Sequence, residues 1–235
     1  MTRRLTAEGI GSAFLAMIVV GSGIAAQRLS PANVGLQLFE NAAATAAGLY
    51  VLIVLWAPIS GAHFNPLVSA VSACFGGLRW RAALSYMGVQ VAGCIGGAVL
   101  ANLMFGGAAV SISTTHRSSA AHWLAEVVAT LGLLLVIFGL ARTRQGNPGA
   151  NVAAAVGAYI GAAYFFTSST SFANPAIVVG RMFSNTFAGI APAAAPGYVV
   201  AECIGAVLAA GLIKTLFPSQ ETLHPSQRNG EPTHE

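Results

Sequence analysis

SGAHFNPLVSA at residues 60–70 and TSFANPAIVVGR at residues 170–181 decide how this chain is read. Each sets Asn-Pro inside a hydrophobic stretch, one in each half of the chain. Proline breaks the hydrogen-bond ladder of a spanning helix, and a polar side chain is costly in hydrocarbon. At the start of a helix the same pair makes physical sense. Asparagine is among the best N-cap residues, and proline suits the next position, where its missing N–H is not needed. Asn65-Pro66 and Asn174-Pro175 therefore read as helix starts in apolar surroundings, where no water satisfies a first turn. With its oxygen used as a cap, each asparagine keeps an NH₂ group for whatever passes.

Composition sets the surroundings. Hydrophobic residues make up 55% of the chain, charged residues 8%, and mean hydropathy is +0.70. A soluble domain carries about 25% charged residues, so this is an integral membrane protein. Apolar spans fall near 6–26, 36–56, 82–105, 121–141, 152–168 and 197–217, each close to the ~20 residues a spanning helix needs. The segments 64–75 and 174–185 reach only roughly 15–18 Å as helix, about half of a ~30 Å hydrocarbon core. They read as re-entrant half-helices. The expected fold is an all-α membrane protein of six transmembrane helices plus two half-helices, one channel-like domain over 1–217. The polar tail 218–235 lacks apolar periodicity and reads as disordered.

The two halves repeat, 5–105 against 121–217. AEGIGSAFLAMIVVGSG at 7–23 aligns with AEVVATLGLLLVIFGLA at 125–141, pairing Glu8 with Glu126, and ISGAHFNPLV at 59–68 matches STSFANPAIV at 169–178 when their Asn-Pro pairs are superposed. Three spans per repeat invert the second half relative to the first, which directs both half-helices toward a site near the midplane. Their N-termini each carry about half a positive charge. Such a meeting point attracts lone pairs and repels cations, which suits neutral hydroxylated solutes.

Arg3, Arg4, Arg79, Arg81, Arg142, Arg144, Lys214 and Arg228 fall on one side of this topology, and Arg28, Arg117 and Arg181 on the other. The positive-inside rule puts both termini in the cytoplasm. The net charge of +4 is thus a topology signal and not a nucleic-acid footprint. Cys74, Cys94 and Cys203 are isolated and read as buried small hydrophobes, and the histidines show no ligand spacing. No metal, cofactor or catalytic triad is expected, so the chain does not read as an enzyme. Gly93 with Gly97, and Gly157 with Gly161, allow close helix contact.

SGAHFNP and SFANPA resemble the two signature motifs of the aquaporin (major intrinsic protein) family, and the resemblance covers residues 5–217. It implies six spans and two half-helices in an hourglass, one pore per subunit, a homotetramer and a bacterial plasma-membrane location. Glu8 and Glu126 match the family's buried glutamates, which brace the re-entrant loops, and His63 matches a structural position beside the first motif.

Departures from the family bear on the solute. Leu67 stands where the first motif has alanine. The second motif keeps Asn174, Pro175 and Ala176, but Ile177 follows where most members have arginine. Counted as in the family, the selectivity filter falls on Thr45, Ala162, Ser171 and Ile177, with no aromatic or charged residue among them. Loss of a guanidinium removes five donors and a fixed cation. The expected filter is wide and non-cationic, with Ser171 and Thr45 offering hydroxyls. Arg181, one turn beyond Ile177, is either a vestibule cation or an interfacial anchor whose side chain snorkels outward. The Arg-less motif resembles a bacterial subgroup associated with arsenic resistance. The expected function is passive passage of water, glycerol-like polyols and metalloid hydroxides such as arsenite. The alternatives are an orthodox water channel and, behind it, an ion-conducting or proton-coupled transporter.

Overall fold

The computed structural model describes residues 1–142 and 148–217, without the side chains of 148–150. Arg144, Arg228 and the tail 218–235 lie outside the described residues. Among the described residues eight helices follow one another: α1 (Thr2–Leu29), α2 (Val34–Ser60), α3 (Pro66–Cys74), α4 (Trp80–Met104), α5 (Ala120–Arg142), α6 (Pro148–Phe166), α7 (Pro175–Arg181) and α8 (Ala195–Leu216). Among the described residues, α1, α2, α4, α5 and α8 are long and apolar enough to cross a membrane. The sixth, α6, has 19 residues. The chain is a multi-pass membrane protein with six spans and two half-helices.

Most helices run a few residues past the apolar runs that announce them. The half-helices are shorter than expected, and α7 stops at Arg181 where the apolar pattern continues toward 185. The cause lies just beyond. Met182 and Phe183 bond back to Val179 and Gly180 in tight turns, and the Met182 and Phe183 carbonyls accept Ser113 and Ser111 N–H groups. Those interloop bonds draw the chain away from helical geometry.

Packing repeats with the sequence. In the first half α1 lies on α2 and α4, in the second α5 lies on α6 and α8, and α2 against α6 joins the halves. A Cβ on Gly93 would strike the Gly9 carbonyl and crowd Ser12, and one on Gly205 would strike Val127 O and crowd Thr130. Ser12 and Thr130 are themselves a pair in the repeat, so one close helix contact is built twice. Gly97 meets Ala13 and Gly157 meets Ala46 in the same way. These glycines therefore face neighbouring helices and not lipid. Of the cysteines only Cys94 is buried, while Cys74 and Cys203 are exposed, because they fall on outward helix faces.

Candidate pore and filter

Both half-helices start as Asn-Pro predicts. Asn65 Oδ1 accepts Leu67 N–H at 2.9 Å, and Asn174 Oδ1 accepts Ala176 N–H at 3.0 Å and Ile177 N–H at 3.4 Å. The amide nitrogens are only half free. Asn65 Nδ2 donates to Ala173 O at 2.7 Å, and Asn174 Nδ2 donates to Phe64 O at 2.8 Å. Each asparagine thus stitches its own half-helix to the other repeat's loop, leaving one N–H of each amide for a solute.

The loops turn their carbonyls through left-handed backbone. Ala62 and Phe64 (φ 51° and 48°) match Ser171 and Ala173 (φ 51° and 47°). Such a conformation costs a non-glycine residue about 1–3 kcal/mol, so something must hold it. Glu8 holds the first loop, accepting from His63 N at 3.0 Å, Phe64 N at 2.8 Å, Ser60 Oγ at 2.6 Å and Gln90 Nε2 at 2.8 Å. Glu126 accepts from the equivalent Phe172 N at 2.9 Å and Ala173 N at 2.8 Å. Both carboxylates are fully buried, and their recorded partners are loop and helix donors. The His63 imidazole bonds Ser69 Oγ at 3.0 Å and sits edge-on to Tyr86.

A cavity of about 70 Å³ is lined by residues of both motifs, several times the roughly 10–15 Å³ that one water needs. Part of its wall is apolar and drawn from repeat partners, Leu15 with Leu133 and Val19 with Ile137. Asn65, Asn174 and His63 face it, as do Thr45, Ser171 and Ile177 of the expected filter. Leu67 does not line it. It packs with Val71, Leu134 and Ala209 in a separate apolar cluster, so the first motif's departure from alanine is absorbed in the core. Ala176 is likewise fully buried and off the cavity wall.

Ala162 is not part of the wall. It is exposed, on the outward face of α6, and Val156, Ile160 and Tyr164 line the cavity instead. These three recur every four residues on one helix face, a spacing visible in the sequence that a fixed count from the motif passes over. Tyr164 brings an aromatic ring and a hydroxyl 3.2 Å from Thr45 Oγ1.

Arg181 supplies the charge that residue 177 lacks. It is 2% exposed and lines the cavity, so it is no interfacial anchor. Its guanidinium lies 3.5 Å over the ring centroid of Phe172, and its Nε donates to Ala188 O. Phe172 also lines the cavity and meets Tyr198 edge-on, with centroids 4.9 Å apart. Arg117 holds the same loop, donating to Gly189 O and Phe187 O at 3.0 Å each. The expectation of a wall free of aromatic and cationic groups is therefore corrected. In the first half Ser72 occupies the position equivalent to Arg181, so the first repeat brings no matching guanidinium to the cavity wall. Ser171 Oγ, of another lining residue, is buried with no partner in the protein. Among the described residues no three His, Cys, Asp or Glu side chains converge as metal ligands would.

Two buried half-helices crossing by paired asparagines beside a lined cavity define a membrane pore protein. Residues 1–173 match the family model of the major intrinsic proteins, and the chain belongs to that family. It is similar to aquaglyceroporin AqpS of Rhizobium meliloti (strain 1021), with 47% identity over 92% of this chain and 91% of the relative. Similarity to aquaporin NIP3-1 of Oryza sativa subsp. japonica is 29% over 97% of this chain and 73% of the relative. The propanediol uptake facilitator PduF of Citrobacter freundii is 33% identical over 47% of this chain and 40% of its own length. Among solved structures, the aquaglyceroporin from Plasmodium falciparum superposes with a TM-score of 0.71 at 19% identity, covering 95% of this chain and 99% of that one. At that identity the match speaks to the fold alone.

Proposed function

We propose that this protein is a passive channel for small neutral solutes, glycerol-sized polyols and metalloid hydroxides such as arsenite, with water sharing the pore. The observation that carries this reading is the asymmetric cavity wall, which gathers Arg181, the Thr45–Tyr164 hydroxyl pair and the unpartnered Ser171 Oγ among apolar side chains. A solute with several hydroxyls can accept from the guanidinium and both donate to and accept from Ser171, while its carbon or metalloid side rests on Ile177 and Phe172. A cation meets a buried guanidinium whose recorded partners are a carbonyl and a ring, and is repelled. The names of the aquaglyceroporin and propanediol-facilitator relatives point to the same class of solute.

The assembly is proposed to be a homotetramer with one pore per subunit, in a bacterial plasma membrane with both termini cytoplasmic. Glu8 and Glu126 act as braces for the loops and not as proton carriers. Arsenite uptake into proteoliposomes, with and without a pH gradient, tests the reading. Uptake that rises quickly to equilibrium and ignores the gradient supports it; accumulation above equilibrium contradicts it. The second reading is a water-selective pore, favoured by the Tyr164 and Phe172 rings beside Arg181. Fast water flow with arsenite at the rate of protein-free vesicles would select it.

A further inference from the structure

The two braces are not chemically equal. Glu8 receives four donors, two from the loop backbone, one from Ser60 and one from Gln90. Glu126 receives the two backbone donors, while Ser169, the repeat partner of Ser60, turns to Thr167. The partner of Gln90 is the other difference. Tyr86 and Gln90 on α4 recur as Tyr198 and Glu202 on α8, with the same four-residue spacing. The close contacts of Gly93 and Gly205, three residues further along each helix, show the two helices in the same register.

Glu202 is fully buried. Its Oε1 accepts the backbone N–H of Asn174 at 2.8 Å. Its Oε2 has no donor in the protein, and the Asn174 N–H that it holds adjoins the Ala173 N–H held by Glu126, which sets the two buried carboxyl groups beside one another. In the first half Gln90 Nε2 also reaches Ser69 Oγ at 3.0 Å, whereas the second half has Val178 at that position and offers no hydroxyl. Ionised carboxylates only accept hydrogen bonds. Two of them fully buried beside one another cannot both keep their charge.

We propose that Glu126 and Glu202 hold one proton between them, carried on Glu202 Oε2 and donated to Glu126. The protonated Glu202 then does for the second half-helix what the Gln90 amide does for the first. It completes the donor set of the brace, while its other oxygen pins the backbone of Asn174. Glu202 is thus a positioning residue for a pore-lining asparagine, and acts on solutes only through it.

Infrared difference spectra of the full-length protein in H₂O and D₂O, together with permeability of the same samples, test this. The wild type should show a protonated-carboxyl C=O band that shifts in D₂O, and Glu202→Gln should lose that band. Glu202→Gln should also conduct as the wild type does, since it keeps a donor and an acceptor in place. Gln90→Glu should add a second band of the same kind. Glu202→Ala, which loses both bonds, should lower permeability or melting temperature. A band unchanged in Glu202→Gln would overturn the proposal, as would loss of conduction in that variant when folded, or a Glu202→Ala protein equal to wild type. The spectroscopic readout does not depend on which solute the pore carries.

Discussion

A guanidinium moved one turn along a half-helix changes what a solute meets. Arg181 stays on the cavity side because four residues separate it from Ile177, and Phe172 provides an electron-rich plate for its cation. Replacing Arg181 with leucine should leave the fold intact, raise glycerol permeability and open a cation leak, read as ionic current across a planar bilayer. Arg181→Lys should leak less than leucine but recover the wild type only partly, since an ammonium neither stacks nor forks its donors. Ile177→Arg should add a second cation on the same wall, slowing glycerol and sparing water in stopped-flow traces. The i, i+4 spacing of Arg181 was legible in the sequence. Its burial was not, because that depends on Phe172 and on the Ala188 carbonyl, which tertiary folding brings from separate segments. The placement of Ala162 failed for a related reason, since a count from the motif ignores which face of α6 carries the bulky residues.

At the scale of elements, the two Asn-Pro caps are cross-linked, so each mutation strains both loops. Loss of a cap costs about 1 kcal/mol, and loss of the interloop bond from the amide about as much again. Asn65→Ala and Asn174→Ala should therefore each lower stability by about 2 kcal/mol in total, seen as a lower melting temperature in detergent. Both half-helices were legible from their first two residues. The end of α7 was not, because bonds from Ser111 and Ser113, far away in sequence, end it. The role of Glu202 was likewise hidden, since a lone glutamate in an apolar helix shows neither its bond from Asn174 N nor that Glu126 holds the neighbouring Ala173 N–H.

For the whole molecule, the inverted repeat was readable because Glu8/Glu126 and the two Asn-Pro motifs recur in order. It makes a symmetric prediction: Gly93→Val and Gly205→Val should each destabilise by about 1–3 kcal/mol through overpacking, while valine at Gly96, which meets nothing within 4 Å, should be tolerated. What the repeat conceals is where the halves differ, with Arg181 against Ser72 and Glu202 against Gln90. The first of these differences puts on the cavity wall a guanidinium that the first half lacks. The most direct test of the account is glycerol permeability by stopped-flow light scattering of proteoliposomes, with water measured beside it. The account predicts glycerol uptake far faster than in protein-free vesicles, stopping at equilibrium. Rapid water flow with glycerol no faster than through bare lipid would contradict it.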